Sequence, residues 1–185
     1  MFTLFALVLA QAFTAQGPFA IAPSSRLWIE GESNFKSWSC EAREASASAD
    51  PFGSSLVPVL ELQVPIKSFH CNEDPLDGKL REALKADRFP SIGFSMESAE
   101  RLPGKALRVR ITGSLSLAGQ TGTVSFIAEV TSAAQGAFVA RGNIPLLMSS
   151  YDVEPPSALL GLIKASDRVV VRFEVRVTPA ARVSL

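Results

Sequence analysis

Histidine and tyrosine occur once each in this chain, as His70 and Tyr151, and cysteine only twice, as Cys40 and Cys71. One histidine and two cysteines supply no fourth ligand at a spacing that a zinc centre would use. A Gly-x-Ser-x-Gly nucleophile elbow is missing as well. So is net charge: 18 Lys and Arg balance 18 Asp and Glu. A nucleic-acid binder needs a basic surplus to collect phosphates, and electrostatic docking on an anionic membrane needs the same. The balance argues against both. Long hydrophobic runs are also lacking. The opening MFTLFALVLAQAFTAQ carries no charge, but its apolar run is too short to span a bilayer.

What is present points to a single domain. The 185 residues are 47% hydrophobic, enough for a sizeable core. Phenylalanine outnumbers tyrosine twelve to one. That surplus fits a Phe-rich core, or a Phe-lined cavity for something long and greasy. Residues 1–16 read as a signal peptide. Ala10-Gln11-Ala12 fits a small-x-small cleavage site that would leave Phe13 first, although the first basic residue is Arg26. The alternative is an N-terminal core strand. No cysteine follows the apolar run, so a lipoprotein anchor is not indicated. Residues 17–185 form the folded domain. In an exported protein Cys40 and Cys71, at the ends of consecutive strands, pair more often than they stay free. A loop of about thirty residues makes such a bond worth roughly 3–4 kcal/mol.

The chain is organised around Arg88–Val130. Ile92, Phe94 and Met96 share one face, as do Leu107, Val109, Ile111, Leu115 and Leu117, and then Val124, Phe126, Ala128 and Val130. A period of two marks strands with one buried face. Leu102-Pro103-Gly104 and Ala118-Gly119-Gln120 supply the turns between them. Upstream, strands are expected over Ser25–Glu32, Asn34–Ala45 and Leu56–Ile66, with a loop over Ser46–Ser55. Asp74–Asp87 changes period. Leu76, Leu80 and Leu84 recur every four residues, giving an amphipathic helix with Asp74 as N-cap and Pro75 in its first turn. A strand follows over Ala137–Pro145. Residues 146–165 read as an apolar lid, with Ser157 starting a short helix after Pro155-Pro156. The alternative for this segment is a buried turn that completes the core. The last strand carries Val169, Val171, Phe173, Val175 and Val177 on one face. The fold class is therefore all-β: one extended eight-stranded antiparallel barrel with a short helix and a lid, closed because closure removes both edges.

The sequence resembles the YceI-like family of polyisoprenoid-binding, lipocalin-type periplasmic proteins. The likeness runs from about Ser24 to Val177. It rests on SRLWIEGESNFKSWSCEA, VPIKS, LREALKADRFPSIGFSMES, GSLSLAGQTGTVSFIAEV and VVVRFEVRV in order, and most strongly on the Phe89-Pro90 pair leading into Ile92-Gly93-Phe94. The two cysteines and the segment from Met148 to Val169 match a two-cysteine subgroup. Where much of the family has Gly after the lid's aromatic residue, Asp152 follows Tyr151. The resemblance implies a barrel that holds an isoprenoid or another long amphiphile, such as a fatty-acid-like lipid, and no other cofactor. Candidate lining residues are Phe35, Trp38, Phe94, Met96, Phe126, Phe138, Met148, Tyr151 and Leu159, with Tyr151 orienting a polar head group near the mouth.

Three functions compete. One is a periplasmic or secreted carrier of an amphiphilic lipid, with no nucleic-acid partner and no membrane span, as a monomer or homodimer. The second is a hydrolase or isomerase acting on such a lipid, for which only His70, Asp152 and Glu154 offer acid–base groups and no catalytic or metal-binding constellation is visible. The third is an interaction module whose barrel is filled.

Overall fold

A computed structural model describes residues 13–16, 19–50, 59–158 and 160–179. In chain order the strands are β1 (Phe13–Gln16), β2 (Phe19–Ile21), β3 (Arg26–Ser33), β4 (Ser37–Ala42), β5 (Ala45–Asp50), β6 (Val59–Pro65) and β7 (Phe69–Cys71). After helix α1 (Asp74–Ala83) come β8 (Ser91–Leu102), β9 (Leu107–Leu117), β10 (Gln120–Ser132), β11 (Phe138–Leu147), β12 (Ser157–Ala158) and β13 (Ile163–Pro179). The meander read from the sequence is β8–β10. Its second turn is only two residues long, and both Ala118 (φ 51°) and Gly119 (φ 86°) have positive φ. That geometry matches the twist of a tight hairpin.

The hydrogen-bonded order is β1-β5-β6-β8-β9-β10-β11-β13-β3-β4-β7, with β2 and β12 pairing β13. β4 runs straight into β5 through Arg43 and Glu44, and β6 returns into β7 through a 3-10 turn at Ile66–Ser68. The two ends of the order therefore belong to one bent hairpin, and the sheet curls back on itself. The bend is tied by the Arg43 amide donating to the Ser68 carbonyl (3.0 Å), while the buried Ser68 hydroxyl donates to Pro65 (2.7 Å) and Glu44 (3.2 Å) carbonyls. These two bends are why ten substantial strand segments stand where eight were expected. The pairing is antiparallel except for β1 on β5.

Other expectations need correction. Residues 46–50, read as loop, belong to strand β5, whose Ala45 and Ala47 are buried; residues 51–58, the rest of that loop and the start of the third strand, lie outside the described residues. The helix ends at Ala83. Glu73, not Asp74, holds its N-cap position, and no side chain caps it. Instead the Asp77 carboxylate, on its first turn, accepts the Cys71 amide at 2.7 Å and ties α1 to β7. No helix begins at Ser157. The prolines keep the chain extended, Ser157–Ala158 pairs with β13, and positive φ at Leu160 and Gly161 turns the chain back. The signal-peptide segment up to Ala12 lies outside the described residues.

The turns at 34–36 and 118–119, helix α1, the 3-10 turn Met148–Tyr151 and β12 gather at one end of the barrel. There Leu84, Ala118, Met148, Tyr151 and Val153 join Val64, Ile66 and Phe69 in one buried cluster. The opposite end carries the 103–106 and 133–137 turns. Inward-facing Leu107 and Phe138 are exposed there, so among the described residues the barrel is capped at one end and open at the other.

Candidate functional site: the barrel interior

Register fixes which side chains share the inner face. Leu62 sits opposite Phe94, Phe94 opposite Leu115, Ile111 opposite Phe126 and Ile144 opposite Val171. On the far wall Val171 sits opposite Ile29, Phe173 opposite Leu27 and Gly31 opposite Trp38. Three rings adjoin one another on this face. Phe94 and Phe126 lie 5.8 Å apart, Phe126 and Phe173 5.6 Å apart and nearly edge-to-face, geometries that aromatic pairs favour.

Three of the large rings on the wall have a glycine beneath them. A Cβ at Gly31 would overlap the indole of Trp38, one at Gly113 the ring of Phe94, and one at Gly142 the ring of Phe173. Glycine inside a strand marks a close approach of this kind. The rings lie along the wall rather than across the lumen. Leu62, Phe94, Ile111, Phe126, Val171 and Phe173 accordingly remain only half-buried although they face inward.

Trp38, Phe94, Met96, Phe126 and Phe138 all take inward positions, Phe138 at the open end and 39% exposed. Met148 and Tyr151 are buried at the capped end. Tyr151 is therefore not at the mouth as expected. Its ring lies on Gly122, and its hydroxyl has no hydrogen-bond partner among the described residues. Burial pushes its phenol above the usual tyrosine range. Asp152 takes φ 53°, the left-handed conformation in which Gly commonly stands and which Asp tolerates better than most residues. The turn thus accommodates Asp152. Phe35 is off the interior altogether. It is 72% exposed on the β3–β4 turn, where the Ser33 hydroxyl accepts both the Phe35 and Lys36 amides. Leu159 lies outside the described residues. Phe173 and the three wall glycines escaped the list of candidates. The unbroken alternation of β13 and the glycines inside strands were the available signals.

The 148–162 segment divides in two. Met148, Tyr151 and Val153 form a plug, fastened by the Asp167 carboxylate, which accepts the Ser149 amide (2.8 Å) and hydroxyl (2.6 Å). Lys85 donates to the Asp152 carbonyl (2.9 Å) and pairs with its carboxylate (3.0 Å), and Lys79 donates to the Ser157 carbonyl (2.7 Å). A polar cleft of about 820 Å³ remains between α1 and residues 149–157, outside the barrel. The tip, with Leu160 and Leu162, is exposed.

The acid–base candidates do not converge. His70 Nδ1 lies 3.3 Å from Asp77 on the outer side, and Asp152 and Glu154 line the outer cleft. Among the described residues no three His, Cys, Asp or Glu side chains gather in one place, and no helix is long and apolar enough to cross a membrane. Cys40 and Cys71 are bonded to each other across the β4–β7 pair.

The sequence profile of the YceI-like domain matches residues 25–177. The chain belongs to the YceI-like family. Similar solved structures carry the same barrel. BcnA of Burkholderia cenocepacia aligns with TM-score 0.67 at 15% identity over 82% of this chain and 95% of its own. A polyisoprenoid-binding domain of Saccharophagus degradans, implicated in plant cell wall breakdown, aligns with TM-score 0.68 at 15% identity, covering 88% and 99%. The YceI protein of Campylobacter jejuni aligns with TM-score 0.56 at 21% identity, covering 74% and 82%. Among curated proteins none matches the sequence. The YceI-like assignment spans both the capping segment and the disulfide.

Proposed function

We propose that this protein is a non-catalytic periplasmic carrier that holds a polyisoprenoid or similar long amphiphile inside its barrel. The observation that carries the reading is the set of rings laid over wall glycines, which leaves an apolar inner face half-accessible between a plugged end and an open one. Burying an apolar tail there gains about 0.8 kcal/mol per CH₂ without directional contacts. The similarity to a polyisoprenoid-binding domain supports the ligand class. An oxidising compartment is supported by the disulfide. Cleavage after Ala12 belongs to this reading, and N-terminal sequencing of exported protein checks it.

Trp28 faces outward, its indole N–H bonded to Glu30 at 2.7 Å, whereas Trp38 is on the inner face. In a Trp28→Phe variant Trp38 alone reports on the lumen. Titration of delipidated protein with a long polyprenol should change its emission saturably at one ligand per barrel. Emission that stays constant, with no ligand retained on gel filtration, would refute the carrier reading.

A further inference from the structure

Among the described residues the paired inner rows contain one ionisable side chain with no partner. β8 starts with Ile92, Phe94 and Met96 facing inward. Continued regularly, Ser98, Glu100 and Leu102 would follow. Instead the register slips between Met96 and Ser98, where Met96 pairs with Gly113 but Ser98 with the adjacent Thr112. Glu97 is the extra residue of a bulge, and a bulge re-aims the side chains beyond it. Ala99 then pairs with Ile111 and Arg101 with Val109, both in the inner row of β9. Glu100 goes to the outer face and is bound there by Arg110 at 2.9 Å. The bulge thus turns a carboxylate out and a guanidinium in.

Arg101 lies at the open end. Its inner-face neighbours are Leu107, Val109 and, one strand further, Ala128. Among the described residues it is the sole charge on the paired inward rows, and no carboxylate pairs with it. Asp167, in the irregular part of β13, is taken by Ser149. An exposed guanidinium at the mouth of an apolar tube suits an oxyanion, since its fixed fork matches carboxylate and phosphate. A charged head group would also be costly to draw into the lumen. From this row to Gly122, where Tyr151 closes the barrel, is six residues of β10, about 20 Å of strand.

We infer that Arg101 is the head-group anchor of the barrel: the ligand enters tail first and leaves a carboxylate or phosphate at the open mouth, against this guanidinium. The inference rests on the carrier reading and deepens it. Two matched pairs of probes test it on the intact protein at submicellar concentration: oleate against oleyl alcohol, and geranylgeranyl phosphate against geranylgeraniol. Wild type should bind each charged member about tenfold more tightly than its neutral partner, the worth of one charge-assisted contact at an exposed site. Arg101→Gln should abolish that preference while leaving affinity for the alcohols unchanged. Arg101→Glu should favour oleylamine. The arm with the larger preference identifies carboxylate or phosphate as the head group. Equal binding of charged and neutral partners by wild type, or an undiminished preference in Arg101→Gln, would overturn the anchor and leave the carrier intact. Failure of all four probes to bind would overturn both.

Discussion

The indole of Trp38 lies on Gly31, its cross-strand partner in the β3–β4 pair. The contact has a consequence for volume. With no Cβ beneath it, the largest side chain of the inner face packs against the wall instead of projecting into the lumen.

Gly31→Ala should therefore push the indole inward. Such overpacking typically costs about 1–3 kcal/mol. Gly142→Ala, beneath Phe173, should act alike. Denaturant midpoints measure the cost and ligand titration the loss of capacity. A Gly31→Ala protein of wild-type stability and unchanged emission would show that the ring does not rest where described.

Removal of the Cys40–Cys71 bond should lower stability by roughly 3–4 kcal/mol, since it closes a loop of sequence separation 31 in the unfolded chain. Urea unfolding of the Cys40→Ala/Cys71→Ala variant, and of wild type with reductant, should agree. Alkylation of unreduced protein should label neither cysteine.

Tyr151 separates packing from polarity. Its hydroxyl has no partner among the described residues, so Tyr151→Phe should leave stability within about 0.5 kcal/mol of wild type. Tyr151→Ala removes a side chain that is only 4% exposed and should cost about 3 kcal/mol or more. Calorimetry distinguishes the two. A large loss on Tyr151→Phe would mean that the phenol is bonded after all.

Acid should loosen the plug and the barrel wall together. Hydrogen bonds from Ser149 hold Asp167 below its ordinary 3.8, Trp28 and Arg172 hold Glu30 below 4.5, and Arg141 holds Glu174 below 4.5. A lowered folded-state pKa means that the unfolded chain binds protons first. The stabilisation is thus full above the ordinary values and drains as pH falls through the lowered ones. Melting temperature should be flat from about pH 6 to 8 and fall below about pH 4. The fall should be shallower, from a lower start, in Asp167→Asn and Glu30→Gln.

Much of this was legible in the sequence, because a period of two leaves little freedom. Ile92, Phe94 and Met96 on β8, the rows of β9 and β10, and the Cys40–Cys71 pair could all be read directly. What escaped depended on departures from that period. The bulge at Glu97 reverses the faces of β8 half-way along, and nothing in the period shows that Arg101 turns inward. Phe35 was read into one strand with Trp38, but Ser33 bends the chain into a turn there. Tyr151 was placed at the wrong end because local pattern does not say which mouth a connection covers. That depends on contacts with α1 and Asp167, remote in sequence.

The most direct test of the central claim is native mass spectrometry of the protein purified from its own host without detergent, followed by organic extraction. The account predicts one adduct per barrel, of several hundred daltons, extractable into organic solvent, with the mass of a long-tailed amphiphile bearing an acidic head. Bare protein in repeated preparations that also refuses added polyprenol would contradict it and leave the barrel as a filled interaction module.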